Sequence, residues 1–155
     1  MPKSMAIILF FVLCFSLIGN GFTLDSEKRL TTNDVEKVTE IQGIKLIPRN
    51  PALGAGGDLN FAMEDNTLFL TVAIQDSSMY KQWKSEEGFF HADVSGIGDE
   101  AFEGPSIGEQ RYILIFRKGK KAVSLSSFFD MKAGGKPFLS QGQLRELAKI
   151  IISRL

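Results

Sequence analysis

One cysteine, Cys14, and one histidine, His91, are all this chain offers of the residues that close disulfides or bind zinc. An internal disulfide is therefore impossible, and a zinc site of the usual His and Cys composition lacks ligands. A Ser-His-acid triad would have to use His91, which sits in the apolar stretch "FFHADV", and no G-x-S-x-G serine accompanies it. Net charge is missing too. The 18 Lys and Arg balance the 18 Asp and Glu, so there is no general electrostatic reason to hold nucleic acid. Long hydrophobic runs are also absent, apart from one near the start.

That run, "AIILFFVLCFSLI", covers Ala6 to Ile18 and follows the positive Lys3. Thirteen helical residues span about 20 Å, short of the roughly 30 Å apolar core of a bilayer. A small-residue segment, "GNGFT", comes next, with Gly19 and Gly21 placed before a cut at Phe22. Basic start, short apolar core and small-residue exit form the layout of a secretory signal peptide. Residues 1–21 are read as that signal, 22–30 as a flexible leader and 31–155 as one domain. If the segment is kept, Met5 to Leu24 forms an anchor, the one expected link to a membrane. Cys14 follows Leu13 and lies inside the run, so it does not read as an acylated lipoprotein cysteine. Export without disulfides leaves the hydrophobic core to hold the domain together.

Within the domain, "TTNDVEKVTEI" reads as a helix capped by Asn33, with Glu36 reaching back and Gly43 ending it. "IKLIP" reads as a strand stopped by Pro48, and "RNPALGAGG" as a loop that feeds the next hairpin. "DLNFAM" and "LFLTVAI", joined by "EDNT", alternate as a β-hairpin with one buried face. "SSMYKQWK" is a short helix capped by Ser77 or Ser78, with Tyr80 and Trp83 on one side. "FFHADV" is a strand. "YILIF", residues 112–116, has the continuous apolar character of a central strand. "RKGKK" turns the chain into "AVSLSSFF", with Val123 and Leu125 on one face and Ser124 and Ser126 on the other. "DMKAGGKPF" is a loop. Last comes a helix capped by Ser140 and Gln143, with Leu144, Leu147, Ala148, Ile151 and Leu155 in a stripe. The order predicts an α+β fold: a mostly antiparallel β-sheet with an N-terminal and a C-terminal helix packed on it.

The densest candidate site is "DVSGIGDEAFEGP", residues 93–105. A phosphate loop needs free backbone N–H groups and a cation, yet Asp99, Glu100 and Glu103 occupy that place and repel an anion. A calcium loop counted from Asp93 has Ile97 at position 5 and Gly104 at position 12, where oxygen ligands are required. A non-standard cation site from Asp93, Asp99, Glu100 or Glu103 is the rival. The favoured reading is a tight turn: Gly96 and Gly98 at positive φ, Asp99 accepting backbone N–H groups, Phe102 sunk in the core.

"VSGIGDEAF" fits V-x-G-[IL]-G-D-x-A-[FY] and resembles the signature of a group of small exported bacterial proteins of unknown function. The strand, Lys-Gly hairpin, serine-bearing strand and final helix that follow are similar as well. The resemblance covers residues 93–155, and 31–92 by element order. It implies a fold like the PsbP-like α/β sandwich, as in some actinobacterial lipoproteins and the sensor domain of a mycobacterial serine/threonine kinase. Unlike those lipoproteins the chain has no lipobox, and unlike that sensor it has no cysteine pairs. The group implies no catalytic residue.

Other features have bland readings. "RKGKK", residues 117–121, is a solvated hairpin tip whose cations discourage edge pairing, with docking on an anionic surface as the alternative. His91 is a half-buried strand histidine. Tyr80, Trp83, Phe89 and Phe90 are core aromatics before they are a sugar or peptide site. The composite expectation is a secreted or periplasmic, non-catalytic domain that binds an unknown envelope protein or small ligand, with no cofactor and no metal. Tyr80, Trp83, Asp99, Glu100 and Glu103 are the candidate binding residues. The alternatives are a hydrolase using two carboxylates, which no pair in the sequence singles out, and a cation-dependent binding module.

Overall fold

The computed structural model describes residues 26–50, 57–86, 91–106 and 111–155. The proposed signal segment, residues 22–25 of the leader, the centre of the "RNPALGAGG" loop, and Phe89 and Phe90 lie outside the described residues. The order is α1 (Thr32–Thr39), β1 (Lys45–Leu46), β2 (Leu59–Ala62), β3 (Leu68–Asp76), α2 (Ser78–Ser85), β4 (Ala92–Asp93), β5 (Glu100–Ser106), β6 (Arg111–Lys118), β7 (Lys121–Asp130), β8 (Lys136–Pro137) and α3 (Gln141–Ile152). The fold is α+β. One open sheet runs β1-β2-β3-β7-β6-β5-β4, with β8 paired to β7, and every pairing is antiparallel.

Alternation along the central strands separates two cores. Val72, Leu114, Phe116, Val123, Leu125 and Ala101 face one side and join Leu144, Leu147, Ala148 and Ile151 of α3. Phe102, Ile113, Ile115 and Ala122 face the other side, against Tyr80 of α2. β6 is thus covered on both faces, as its unbroken apolar run demands. The α3 stripe is the larger anchor, since each fully buried Leu or Ile contributes roughly 1.5–3 kcal/mol. α2 lies on the opposite face because the chain must cross from β3, near the middle of the sheet, to β4 at its far edge.

Polar ties fix the helices. Ser140 and Gln143 form the capping box read from the sequence. α1 and α3 run antiparallel: Arg154 holds Asp34 at one end, and Gln143 Nε2 donates to the Val38 carbonyl at the other. Ser26 to Arg29 form a helical turn and Leu30 is fully buried, so packed structure reaches into the residues read as a leader.

Several local expectations change. Thr31, in extended conformation, caps α1 with Asp34 as its partner, instead of Asn33 with Glu36. Glu36 accepts the Ile44 N–H at 3.0 Å, and α1 ends at Glu40 in the left-handed region, ahead of Gly43. Ser77 has helical angles, so its hydroxyl makes no cap; Asp76 Oδ1 accepts the Ser78 N–H at 3.0 Å instead. β2 is buried on both faces, because Asn60 turns inward and bonds the backbone of Gly57 through both ends of its amide. Leu155 lies beyond α3 and is exposed. Among the described residues no helix is long and apolar enough to cross a membrane.

Candidate functional site

The 93–105 segment begins as a turn. Gly96 and Gly98 have φ of 79° and 60°, and a side chain at Gly98 would run into the Arg117 carbonyl oxygen. The Asp99 N–H donates to that same carbonyl at 2.8 Å. The Asp99 carboxylate reaches outside its own turn. Oδ2 accepts the Gly119 N–H at 2.8 Å and Oδ1 the Lys118 ammonium at 3.1 Å. The Gly119 N–H, ahead of Lys118, holds this carboxyl below its ordinary pKa. Asp99 therefore clasps the β6–β7 hairpin. Glu100, directly opposite Arg117 in the ladder, pairs with it at 2.8 Å. Two of the four cations of "RKGKK" are thus occupied, and the expectation of a wholly solvated tip holds only for Lys120 and Lys121.

From Glu100 onward the strand sends its side chains to opposite faces. Phe102 is fully buried on the α2 side. Glu103 goes to the α3 side, where it is 5% exposed and forms a two-pronged ion pair with Arg145. Tyr112 stands beside that pair; burial first, then Glu103, raises the pKa of its hydroxyl. Glu103 therefore joins α3 to the sheet, away from the other candidates. Asp93 pairs with Lys84 at 2.8 Å. The acids proposed as a cation site each face a cation of the chain: Asp99 and Glu100 share Arg117, Asp93 holds Lys84 and Glu103 holds Arg145. Among the described residues no three or more His, Cys, Asp and Glu side chains gather as they would around a metal.

What the structure does bring together is an aromatic and charged cluster where α2 meets the β4–β5 edge. The Tyr80 ring meets Phe102 edge-on, with centroids 5.4 Å apart. His91 is exposed, contrary to the half-buried strand expectation, because it precedes the short edge strand β4; its ring lies 5.0 Å from Phe102. Lys84 Nζ sits 5.9 Å from the same ring, and Trp83 packs partly exposed on this core. At the centre is an unusual atom. The Tyr80 hydroxyl is buried and has no hydrogen-bond partner. Burial raises its pKa, so at neutral pH it is a neutral donor. The ion pairs Lys84–Asp93 and Arg117–Glu100 flank it electrostatically.

Of the five candidates, Tyr80, Trp83 and Glu100 thus share this face, Asp99 lies at its hairpin end, and Glu103 is beyond the sheet. Lys84, Asp93, His91 and Arg117 complete the cluster; the sequence reading put the 93–105 turn and the 80–90 aromatic segment on one side but named none of these four as binding residues. An Asp93–Lys84 pair nine residues apart carries no helical or strand spacing that could have announced it.

No protein-family model, curated protein or solved structure matches this chain. What remains to define it is an α+β open-sheet domain with an aromatic surface cluster on its smaller core.

Proposed function

We propose that this is an exported envelope protein, of the group carrying V-x-G-[IL]-G-D-x-A-[FY], that binds a protein or small ligand without catalysis. Its binding face is the α2 surface around Tyr80, Trp83 and His91, in the secreted or periplasmic space. The observation that carries this reading is the unpartnered Tyr80 hydroxyl. A buried donor left unsatisfied costs free energy and calls for an explanation; in this reading a ligand or partner supplies the missing acceptor. Partly exposed Trp83 and exposed His91 surround it with surface suited to a carbonyl-bearing or sugar-like partner. The neutralised carboxylates of the 93–105 turn favour binding over two-carboxylate hydrolysis, which requires one acid held protonated beside one base.

The test is a thermal-shift screen of the mature exported protein against sugars, nucleotides, wall fragments and divalent cations. A component that raises the melting temperature of the native protein, and fails to do so with Trp83→Ala, supports this face. Stabilisation by calcium that chelator reverses would move the reading to a cation-dependent module. Turnover of a wall fragment would establish a hydrolase.

A further inference from the structure

At the Asp130 end of β7, opposite the end where the Ser77 N–H meets the Lys120 carbonyl, lies a separate cavity. Its volume is about 410 Å³, within the range of small-molecule sites. The β2–β3 turn and the loop after β7 form its walls, chiefly Met63, Leu68, Phe129, Met131 and Phe138. Met131 is 61% exposed, the most exposed large apolar side chain of the described residues. Two carboxylates share the lining, Asp65 and Asp130, with one ammonium, Lys132.

Both carboxylates are fixed by their own turns. Asp65 Oδ1 accepts the Thr67 N–H at 2.9 Å, which holds its pKa below the ordinary value. Asp130 Oδ1 accepts the N–H groups of Lys132 and Ala133 at 2.9 and 3.1 Å. The lining thus joins an aromatic and thioether wall to two positioned acids, with a formal charge of −1 after Lys132 is counted. An apolar body with an ammonium head matches that combination. A carboxylate would meet two like charges, and a neutral polar head would gain no ion pair. Aromatic walls also accept a cation well, and the Met side chains adapt to an apolar body.

We propose that this cavity is a binding site for a small organic amine, with its apolar body between Met131 and Phe138 and its ammonium at Asp65 and Asp130. This site is independent of the α2 face.

The experiment follows amide chemical shifts of the exported protein titrated with 2-phenylethylamine, 2-phenylethanol or 3-phenylpropanoate. The amine should give saturable shifts confined to 63–68 and 128–138, with affinity near millimolar as suits so small a ligand. The alcohol and the propanoate should bind about two- to fivefold more weakly, the loss expected from removing or reversing a partly exposed charge contact. Asp65→Asn with Asp130→Asn keeps the Oδ1 acceptors of both turns, so the fold persists. This variant should lose about the same factor for the amine and nothing for the alcohol. Equal affinity for amine and alcohol, shifts elsewhere, or no shifts would overturn the proposal. So would shifts in these residues that follow protein concentration without ligand, which would assign the patch to a second copy of the chain.

Discussion

Replacing Tyr80 by Phe deletes a single oxygen, the one buried side-chain oxygen among the described residues with no partner. The ring and its edge contact with Phe102 at 5.4 Å stay. Stripping a hydroxyl of water without a compensating bond costs about 1–3 kcal/mol, so its removal should return part of that. A small gap is left where the oxygen was, which subtracts some packing. The net expectation is a gain of about 1 kcal/mol, or about 3 to 5 °C in melting temperature for a domain of this size. Urea unfolding at neutral pH, followed by circular dichroism, measures it directly, with a raised midpoint at unchanged slope. Tyr112→Phe is the control. Its hydroxyl stands beside the buried Glu103 carboxylate, so the same deletion should bring no such gain. A Tyr80→Phe variant less stable than the native protein would mean that the hydroxyl has a partner at rest. The reasoning behind the α2 face would then fall.

Gly98→Val should destabilise by several kcal/mol, since it adds about 1–3 kcal/mol of backbone strain at φ 60° to a collision with the Arg117 carbonyl; a native melting temperature would refute the tight turn. Arg145→Met leaves Glu103 buried and uncompensated and should cost about 2 kcal/mol, less than for a fully buried pair because Arg145 is 41% exposed; denaturant midpoints decide it. The Arg154 guanidinium, ahead of the Thr31 hydrogen bonds, holds Asp34 well below the usual carboxylate range. A carboxyl depressed in the folded state stabilises above its unfolded pKa of about 4 and loses that contribution as pH falls below it. A double-mutant cycle of Asp34→Asn with Arg154→Gln should therefore show coupling of about 1 kcal/mol at pH 7, fading toward about pH 2; coupling independent of pH would contradict it. Lys120→Glu with Lys121→Glu should alter stability by less than about 0.5 kcal/mol, as exposed sites do.

The parts of this fold legible in sequence are those set by local patterns. The capping box at Ser140, the hairpin at Gly119 and the apolar run of β6 follow from residues within a few positions of one another. The turn glycines were equally plain, because positive φ favours glycine and at Gly98 a side chain would also meet the Arg117 carbonyl. The candidate site was legible only in part. Tyr80 and Trp83 announced themselves by type, but which face each acid of the motif would take depends on strand register. Register puts Glu100 opposite Arg117 and turns Glu103 toward α3, 42 residues away in sequence. The cap of α1 was misassigned by two residues, since Thr, Asn and Asp cluster there and local chemistry alone leaves them nearly equivalent; Ser77 does stand at the cap of α2, but without the side-chain hydrogen bond.

Trp83 is the protein's single tryptophan and belongs to the proposed face, so its fluorescence reads that surface without labelling. The decisive measurement is acrylamide quenching of Trp83 in the presence of whichever envelope component raises the melting temperature. Reduced quenching and a shifted emission maximum, saturating at the same concentration as the thermal shift, are the predicted result. A component that stabilises the protein while leaving both unchanged would contradict the assignment of the α2 face.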